Sequence, residues 1–236
     1  MDQAAIELNA LRFRWTQGSP PVLDIDTLSI APGERVFLQG PSGSGKTTLL
    51  NLLGGVMRPE SGRISILGTE ITALSGTARD AFRARHVGFI FQQFNLVPYL
   101  GLIENVTLPC RFSPQRRAAA STDRSLDDEA RRLLSAMQVE VDTLGRRPVA
   151  TLSVGQQQRV AAARALIGAP GLIIADEPTS SIDADARHAF MGLLFDEIER
   201  TGATLVFVSH DAGLAGLFDR TVELATINRA ARAEAA

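Results

Sequence analysis

The chain has 236 residues, with 24 Lys and Arg against 26 Asp and Glu, and a formal net charge of -2. A length of this order fits one large domain, or a domain with an inserted subdomain. The balanced charge argues against a nucleic-acid partner, which usually meets a strongly basic surface. No apolar run approaches the roughly 18–20 residues that cross a bilayer, and the N-terminus lacks the features of a signal peptide, so we expect a cytoplasmic protein. A single cysteine, Cys110, excludes an internal disulfide.

The first part of the chain alternates short apolar runs with turn signals: IELNALRFRW, GSPP, VLDIDTLSI, APGE and RVFLQG. This pattern predicts antiparallel strands followed by a buried strand. A glycine-rich loop and the apolar helical run TTLLNLLGGV come next. Residues 62–72 and 87–91 then resemble short strands.

Helical stretches dominate from about residue 93 to residue 160, which predicts an inserted helical subdomain. Within it, the segment SPQRRAAASTDRS is polar and poor in bulky apolar residues, so we expect a surface loop with solvated arginines. After residue 160, LIIAD and TLVFVSH predict strands covered on both faces, separated by a helix over 184–200.

The loop between the buried strand and the first helix matches the phosphate-binding pattern G-x-x-x-x-G-K-[ST]. Its glycines allow successive backbone N–H groups to curl around phosphates, and the helix N-terminus adds positive potential. Lys46, the only lysine of the chain, would reach the β- and γ-phosphates, and the Thr47 hydroxyl would coordinate Mg²⁺. The predicted nucleotide contacts in this loop are Gly40, Pro41, Ser42, Gly43, Ser44, Gly45, Lys46, Thr47 and Thr48.

Two adjacent carboxylates, Asp176 and Glu177, end the apolar run LIIADEP. Neighbouring side chains alternate along a strand, but at its carboxyl end the backbone turns and both can approach a nucleotide. Asp176 suits the Mg²⁺ shell, whereas Glu177 suits polarising the water that attacks the γ-phosphate.

The sequence LSVGQ at 152–156 precedes another helical run, QQRVAAARAL. Ser153 and Gln156 have the spacing of a capping box, so a helix is predicted to begin there with N–H groups directed outward. A helix N-terminus of this kind favours the binding of an anion. Because the phosphate loop already holds one nucleotide, this second site implies a nucleotide held by another subunit.

Together the phosphate loop, LSVGQ, LIIADEP and VSHD resemble the ABC transporter ATPases, in order and approximate spacing, over nearly the full chain. The run FNLVPYLGLIENVTLP, with ESGRISILGTEIT, is similar to the branch of macrolide exporters, lipoprotein-releasing systems and a cell-division ATPase. The resemblance implies an α/β fold in which a P-loop NTPase core carries an antiparallel β subdomain and an inserted α-helical subdomain. Residues 1–228 would form one ATPase domain, its helical subdomain at about 93–160, and 229–236 a frayed tail.

The resemblance also implies roles for individual residues. Gln92 would sense Mg²⁺ and the γ-phosphate, His210 would contact the γ-phosphate, and Asp183 would lie at a dimer seam. Trp15, the only tryptophan, would stack on adenine. Ser153, Gly155 and Gln156 would contact the nucleotide.

One departure from the family is Val154, which occupies a position that most often holds glycine. If that position requires a left-handed backbone or a close backbone approach, a β-branched residue is costly there. Ser153 and Gly155 remain, so we expect function with altered affinity. A second expectation concerns Phe94, Leu96, Val97, Pro98, Tyr99 and Leu100. The resemblance places this stretch at a groove for a helix of the membrane subunit, so part of its aromatic surface should be exposed.

The predicted function is an ATP-binding and ATP-hydrolysing subunit with ATP and Mg²⁺ as cofactors. It would form a homodimer and power transport through an integral membrane permease subunit, peripheral on the cytoplasmic face of the inner membrane. The alternative is a regulatory ATPase of the cell-division type, which signals to a membrane protein without moving a substrate. A translation or DNA-repair ATPase is disfavoured, because those usually carry two ATPase modules or a long coiled coil.

Overall fold

A computed structural model describes residues 3–144 and 147–230. The chain forms two compact units, one from the residues up to Arg83 together with those from Thr204 onward, the other from Ala84 to Ala203. Within the described residues, no helix combines the length and apolar character needed to cross a membrane.

The first unit contains an antiparallel sheet of four strands: β1 (Ile6–Phe13), β2 (Leu23–Ile30), β4 (Ser61–Ile66) and β5 (Thr69–Glu70). Their spatial order is β2-β1-β4-β5. Ile6 of β1 pairs with Ile30 on one side and with Ile66 on the other, and all three side chains are buried. Aliphatic positions two residues apart therefore form one buried face of the sheet, as the sequence pattern predicts.

The same unit contains three parallel strands, β3 (Arg35–Gln39), β8 (Thr204–Val208) and β9 (Arg220–Glu223), with β3 paired to both others. All five residues of β8 are buried, in agreement with its continuous apolar sequence. The helices of the first unit are α1 (Lys46–Leu53) and α10 (Leu224–Ile227). Helix α2 (Gly76–His86) contains the point in the chain where the first unit ends and the second begins.

The second unit contains the parallel pair β6 (Val87–Ile90) and β7 (Leu172–Asp176). The remaining helices are α3 (Leu102–Thr107), α4 (Pro109–Phe112), α5 (Pro114–Ala120), α6 (Leu126–Ala136), α7 (Val141–Leu144), α8 (Val154–Leu166) and α9 (Ala184–Thr201). Helix α8 packs against α3, α6, α9 and β6, and most of its residues are buried. It is the central helix of this unit.

The prediction of a surface loop at SPQRRAAASTDRS is wrong for its first part, which forms helix α5, whereas residues 121–125 are exposed and lie outside any helix. Ser113 caps helix α5 by accepting a hydrogen bond from the backbone N–H of Arg116, and Pro114 occupies the first helical position, where its missing N–H costs nothing. Arg116 is buried and donates to the backbone carbonyls of Val87, Ala165 and Ile167. Burial lowers the pKa of Arg116 to about 10. The polar composition did not indicate this helix, in which Arg116 is buried and binds backbone carbonyls of the interior.

The predicted tail begins at Arg229, which forms ion pairs with Asp24 and Asp26 of β2. Asn228, just before it, is fully buried and hydrogen-bonds the backbone of Asp24 and Val22. Residues 231–236 of the predicted tail lie outside the described residues.

Candidate nucleotide-binding site

The phosphate loop connects β3 to α1, in the strand, loop and helix order predicted from the sequence. Gly43 and Gly45 have φ angles of 79° and 97°, a conformation that L side chains rarely adopt. At Gly45, a Cβ atom would also lie 2.9 Å from Cδ2 of Leu23. The glycine is therefore required both by the left-handed backbone and by the close approach of β2.

Lys46 begins α1, and only 7% of its surface is exposed. Its Nζ donates hydrogen bonds to the carbonyl oxygens of Gly40, at 2.7 Å, and Pro41, at 2.9 Å. These bonds hold the loop curled around the ammonium group. In this loop the Ser44 hydroxyl is buried and has no hydrogen-bond partner within the described residues. A cationic, glycine-rich loop with an unsatisfied hydroxyl fits a polyphosphate ligand.

His210 lies two residues beyond β8 and is exposed. It lines an open groove of about 280 Å³ together with Gly40 and Pro41 of the phosphate loop. The fold thus brings His210 and the start of the phosphate loop together, although the two are far apart in sequence.

Trp15 follows β1 and has 63% of its surface exposed. Its ring meets Phe13 edge to face, with centroids 5.2 Å apart. Phe13 pairs with Leu23, the residue against which Gly45 packs. The exposed indole therefore lies beside the strand ends that support the phosphate loop, and it offers a free face for stacking.

Asp176 is the last residue of β7, and Glu177 follows with a φ angle of 46°. The left-handed backbone at Glu177 ends the strand alternation immediately after Asp176. Both carboxyl-bearing residues are half-buried. The backbone therefore turns at the carboxyl end of β7, as the sequence predicts for these two adjacent carboxylates.

Gln92 lies two residues beyond β6 and is exposed. Phe94 and Asn95, which follow it, have φ angles of 57° and 48°. Phe94 is buried, with 8% of its surface exposed, so the expectation that it contributes to an exposed groove is wrong. Tyr99, in contrast, has 80% of its surface exposed, and Pro98 is exposed beside it.

The capping box predicted at LSVGQ is confirmed. The Ser153 hydroxyl accepts a hydrogen bond from the Gln156 N–H at 3.3 Å, and the Gln156 side chain accepts one from the Ser153 N–H at 3.0 Å. Val154 is the first residue of α8 and has no positive φ, so the expected backbone cost of a β-branched residue does not arise. A Cβ atom added at Gly155 would meet no other atom within 4 Å, which leaves this helix end open.

Asp183 caps α9 by accepting a hydrogen bond from the Ala186 N–H at 2.8 Å. Its side chain therefore has a local structural task, and a role at a dimer seam stays a prediction. The sequence reasoning missed Arg164 and Asn105, two buried polar residues that bind the backbone of the segment after Gln92. The signal for Arg164 was a charged residue within the apolar run AAARAL.

No cluster of three or more His, Cys, Asp or Glu side chains suited to a metal ion occurs in residues 3–144 and 147–230. The Mg²⁺ ligands predicted from the sequence are of a different kind: the hydroxyl of Thr47, the amide of Gln92 and the carboxylate of Asp176. Oxygen ligands of this type, few in number and completed by water and phosphate, fit Mg²⁺.

Comparison with known proteins places these features in a family. The family profile described as ABC transporter matches residues 23–180. The chain is 42% identical, over 224 residues, to the lipoprotein-releasing system ATP-binding protein LolD of Syntrophotalea carbinolica, covering 94% of this chain and 95% of the relative. It is 40% identical, over 231 residues, to the macrolide export ATP-binding/permease protein MacB of Rhodopseudomonas palustris strain HaA2, covering 95% of this chain but 33% of the relative.

Among solved structures, the dimeric post-hydrolysis state of the ATP-binding cassette MJ0796, bound to ADP and phosphate, is 35% identical and matches with a TM-score of 0.81. The match covers 92% of this chain and 93% of that one. The chain thus spans about a third of the macrolide export relative and nearly all of the lipoprotein-releasing one. The predicted fold class and the predicted branch are both confirmed, and the chain belongs to the ABC transporter family as an ATP-binding domain of the ABC ATPase type.

Proposed function

We propose that this chain hydrolyses ATP as a dimer and thereby powers transport through a separate membrane subunit. The observation that carries the proposal is the open N-terminus of α8, which holds a complete capping box and belongs to a different unit from the phosphate loop. A chain with one phosphate loop and one further anion-binding helix end is suited to share each nucleotide between two copies. The dimeric state of the solved cassette MJ0796 supports this arrangement.

Binding would begin at the phosphate loop. The Lys46 ammonium, which now donates to the carbonyls of Gly40 and Pro41, would donate instead to β- and γ-phosphate oxygens. The N–H groups at the start of α1 would donate to further phosphate oxygens, because Gly45 provides no capping side chain. Trp15 would stack on the adenine ring, with little discrimination between bases.

Mg²⁺, when bound, would neutralise charge on the β- and γ-phosphates. Thr47, Gln92 and Asp176 are the residues proposed to hold it. Glu177 would orient and polarise the attacking water, and His210, exposed in the groove at the phosphate loop, would contact the γ-phosphate. Ser153 and Gly155 of the partner copy would contact the same nucleotide, with Gln156 fixing Ser153 through the capping box. Asp183 would lie near the seam.

The membrane partner would dock at the segment that displays Tyr99. An exposed aromatic side chain next to an exposed proline suits the apolar side of a docked helix. We propose accordingly that the chain works at the cytoplasmic face of the inner membrane. The similarity to lipoprotein-releasing and macrolide export proteins supports a transport role.

The substitution Glu177→Gln tests the proposal. The amide keeps the shape of the side chain but cannot polarise water, so we expect ATP binding within about threefold of wild type and turnover reduced by about 100-fold or more. Lys46→Ala is the matched contrast, because it should weaken binding itself. An unchanged steady-state rate in the purified Glu177→Gln protein would refute the assignment of the catalytic carboxylate.

A further inference from the structure

Arg164 is a buried arginine on α8 whose side chain holds the backbone of another segment of the same unit. Nη1 donates to the carbonyl oxygen of Asn95 at 2.6 Å, and Nη2 donates to that of Phe94 at 2.5 Å. Within the described residues no carboxylate forms an ion pair with Arg164. Burial lowers the pKa of this guanidinium to about 10, which leaves it charged at neutral pH. A buried cation is thus compensated by two backbone carbonyls.

The carbonyls that bind Arg164 belong to an unusual turn. Phe94 and Asn95 are consecutive non-glycine residues with left-handed backbone, a conformation that persists only where surrounding contacts enforce it. The Phe94 N–H donates to the Phe91 carbonyl at 3.0 Å, and the Asn95 N–H donates to the Gln93 carbonyl at 2.6 Å. Gln92 lies inside this turn. The side chain of Arg164 therefore fixes the backbone on which Gln92 is mounted.

The same helix that carries Arg164 begins at the capping box of Ser153. Eleven residues separate the two, about 16 Å at 1.5 Å per residue, and an α-helix of this length behaves as one rigid element. A change in the direction of α8 at its N-terminus would therefore reach the Gln92 turn through a two-pronged hydrogen-bonded contact rather than through loose apolar packing.

We propose that Arg164 is a positioning residue that couples the signature end of α8 to Gln92. It holds the Gln92 turn in a fixed position relative to the helix. Nucleotide binding at Ser153 of one copy therefore changes the position of Gln92, and γ-phosphate binding at Gln92 changes the position of Ser153. This coupling rests on the proposed function of Ser153 and Gln92. The geometry of the guanidinium matters, because its planar fork gives each carbonyl its own nitrogen, whereas a lysine carries all its donors on one nitrogen at the end of a flexible chain.

Arg116 offers a matched control in the same unit. It is also buried, and it donates to the carbonyls of Ala165 and Ile167, at the same C-terminal end of α8 as Arg164, and to that of Val87. Those three acceptors have no left-handed backbone, and none lies in the turn around Gln92. If buried arginines that contact this helix only stabilise the fold, both should respond alike to substitution.

The experiment compares Arg164→Lys with Arg116→Lys in the full chain. Hydrogen exchange is measured on peptides covering residues 92–97 and 153–158, and ATP binding and turnover are measured with Mg²⁺. We expect Arg164→Lys to accelerate exchange in 92–97 by about tenfold or more and to lower kcat by about tenfold, with ATP affinity within about threefold of wild type. Arg116→Lys should lower thermal stability while leaving exchange in 92–97 and the kcat of the folded protein within about threefold.

The proposal is overturned if Arg164→Lys leaves exchange in 92–97 unchanged, or if the two variants lose kcat equally. A second measurement covers the case in which Arg164→Lys does not fold. In the Glu177→Gln protein, ATP should slow exchange in 92–97 and in 153–158 together, and protection of one segment without the other refutes the coupling. Absence of ATP turnover in the wild-type protein would instead refute the proposed function, since exchange in 92–97 reports on Arg164 without any catalysis.

Discussion

Asn105 and Val97 hydrogen-bond each other twice. The Asn105 Oδ1 atom accepts from the Val97 N–H at 2.8 Å, and Nδ2 donates to the Val97 carbonyl at 3.1 Å. The same Nδ2 also lies within hydrogen-bond distance of the carbonyls of Leu100 and Gly101. One fully buried amide on α3 therefore adds side-chain hydrogen bonds to the backbone bonds of the loop 97–101, and it fixes the loop that displays Tyr99.

Asn105→Leu should consequently destabilise the protein and loosen this loop. The apolar side chain fills similar space but leaves the Val97 N–H without a partner and the Val97 carbonyl with the Leu100 N–H alone, at a cost of about 2 kcal/mol in the free energy of unfolding. Urea denaturation measures the change. Asn105→Asp should cost at least as much, because it places a buried carboxylate against the carbonyl oxygens of Val97, Leu100 and Gly101. A Leu variant as stable as wild type would show that the loop finds other partners.

Tyr99 and Phe94 make a contrasting pair, five residues apart in sequence. Tyr99→Ala removes an exposed ring, so we expect the free energy of unfolding to change by less than about 0.5 kcal/mol and ATPase activity to persist. Phe94→Ala removes a buried ring and should cost about 3–5 kcal/mol. Both values are measurable by urea denaturation of the purified chain.

The coupling role of Tyr99 has its own measurement. The tagged chain and its Tyr99→Ala variant are purified from detergent extracts of the native host, and the membrane subunit recovered with each is quantified. We expect the variant to recover several-fold less, or to lose stimulation of its ATPase activity by that subunit. Equal recovery and equal stimulation would remove Tyr99 from the docking surface. If the recovered membrane protein has no transport pathway, the regulatory alternative replaces transport.

Local chemistry explains which parts of this structure were predictable. The phosphate loop, the capping box of Ser153 and the strands LIIAD and TLVFV each depend on residues close in sequence, whose spacing specifies one conformation. The roles of Arg164 and Asn105 depend on which carbonyls other segments leave unpaired, and no spacing encodes that. Phe94 was misjudged for the same reason, since a left-handed turn held by Arg164 directs its ring into the interior.

Glu197 of α9 accepts hydrogen bonds from Arg132 of α6, at 2.7 and 3.0 Å, and from Arg200. Burial alone would raise the pKa of Glu197, but the hydrogen bonds and charges of Arg132 and Arg200 outweigh it and lower the pKa below its usual value of 4.5. A carboxylate with a depressed pKa in the folded state contributes stability that is complete above its unfolded pKa. That stability is lost as the pH falls through the folded value.

Glu197→Gln should therefore lower the free energy of unfolding by about 2 kcal/mol at pH 7, because Arg132 and Arg200 lose a charged hydrogen-bond partner, although Arg132 keeps its ion pair with Glu129. The difference from wild type should shrink once the pH falls below about 4.5. Asp219→Asn at the mostly exposed pair with Arg35 is the control, with an expected cost below about 1 kcal/mol. Denaturant titrations at pH 7 and at pH 4 provide the comparison, and a pH-independent cost for Glu197→Gln would contradict the ion-pair explanation.

The composite site makes the sharpest prediction about the dimer. If Ser153 serves the nucleotide held by the Lys46 of the other copy, then Lys46→Ala and Ser153→Arg each damage both sites of their own homodimer. In a mixed dimer, one site carries both substitutions and the other carries neither.

Occlusion of ATP should therefore recover in the mixture toward one intact site per mixed dimer, although neither variant occludes ATP alone. Ser153→Arg leaves the phosphate loop untouched, and the lost N-cap of α8 should lower the free energy of unfolding by about 1 kcal/mol, which leaves the chain folded. Trapped radiolabelled ATP is measured after rapid dilution, with association of the two variants checked by differently tagged chains. Folded, associating variants that show no recovery would mean that each copy completes its own site.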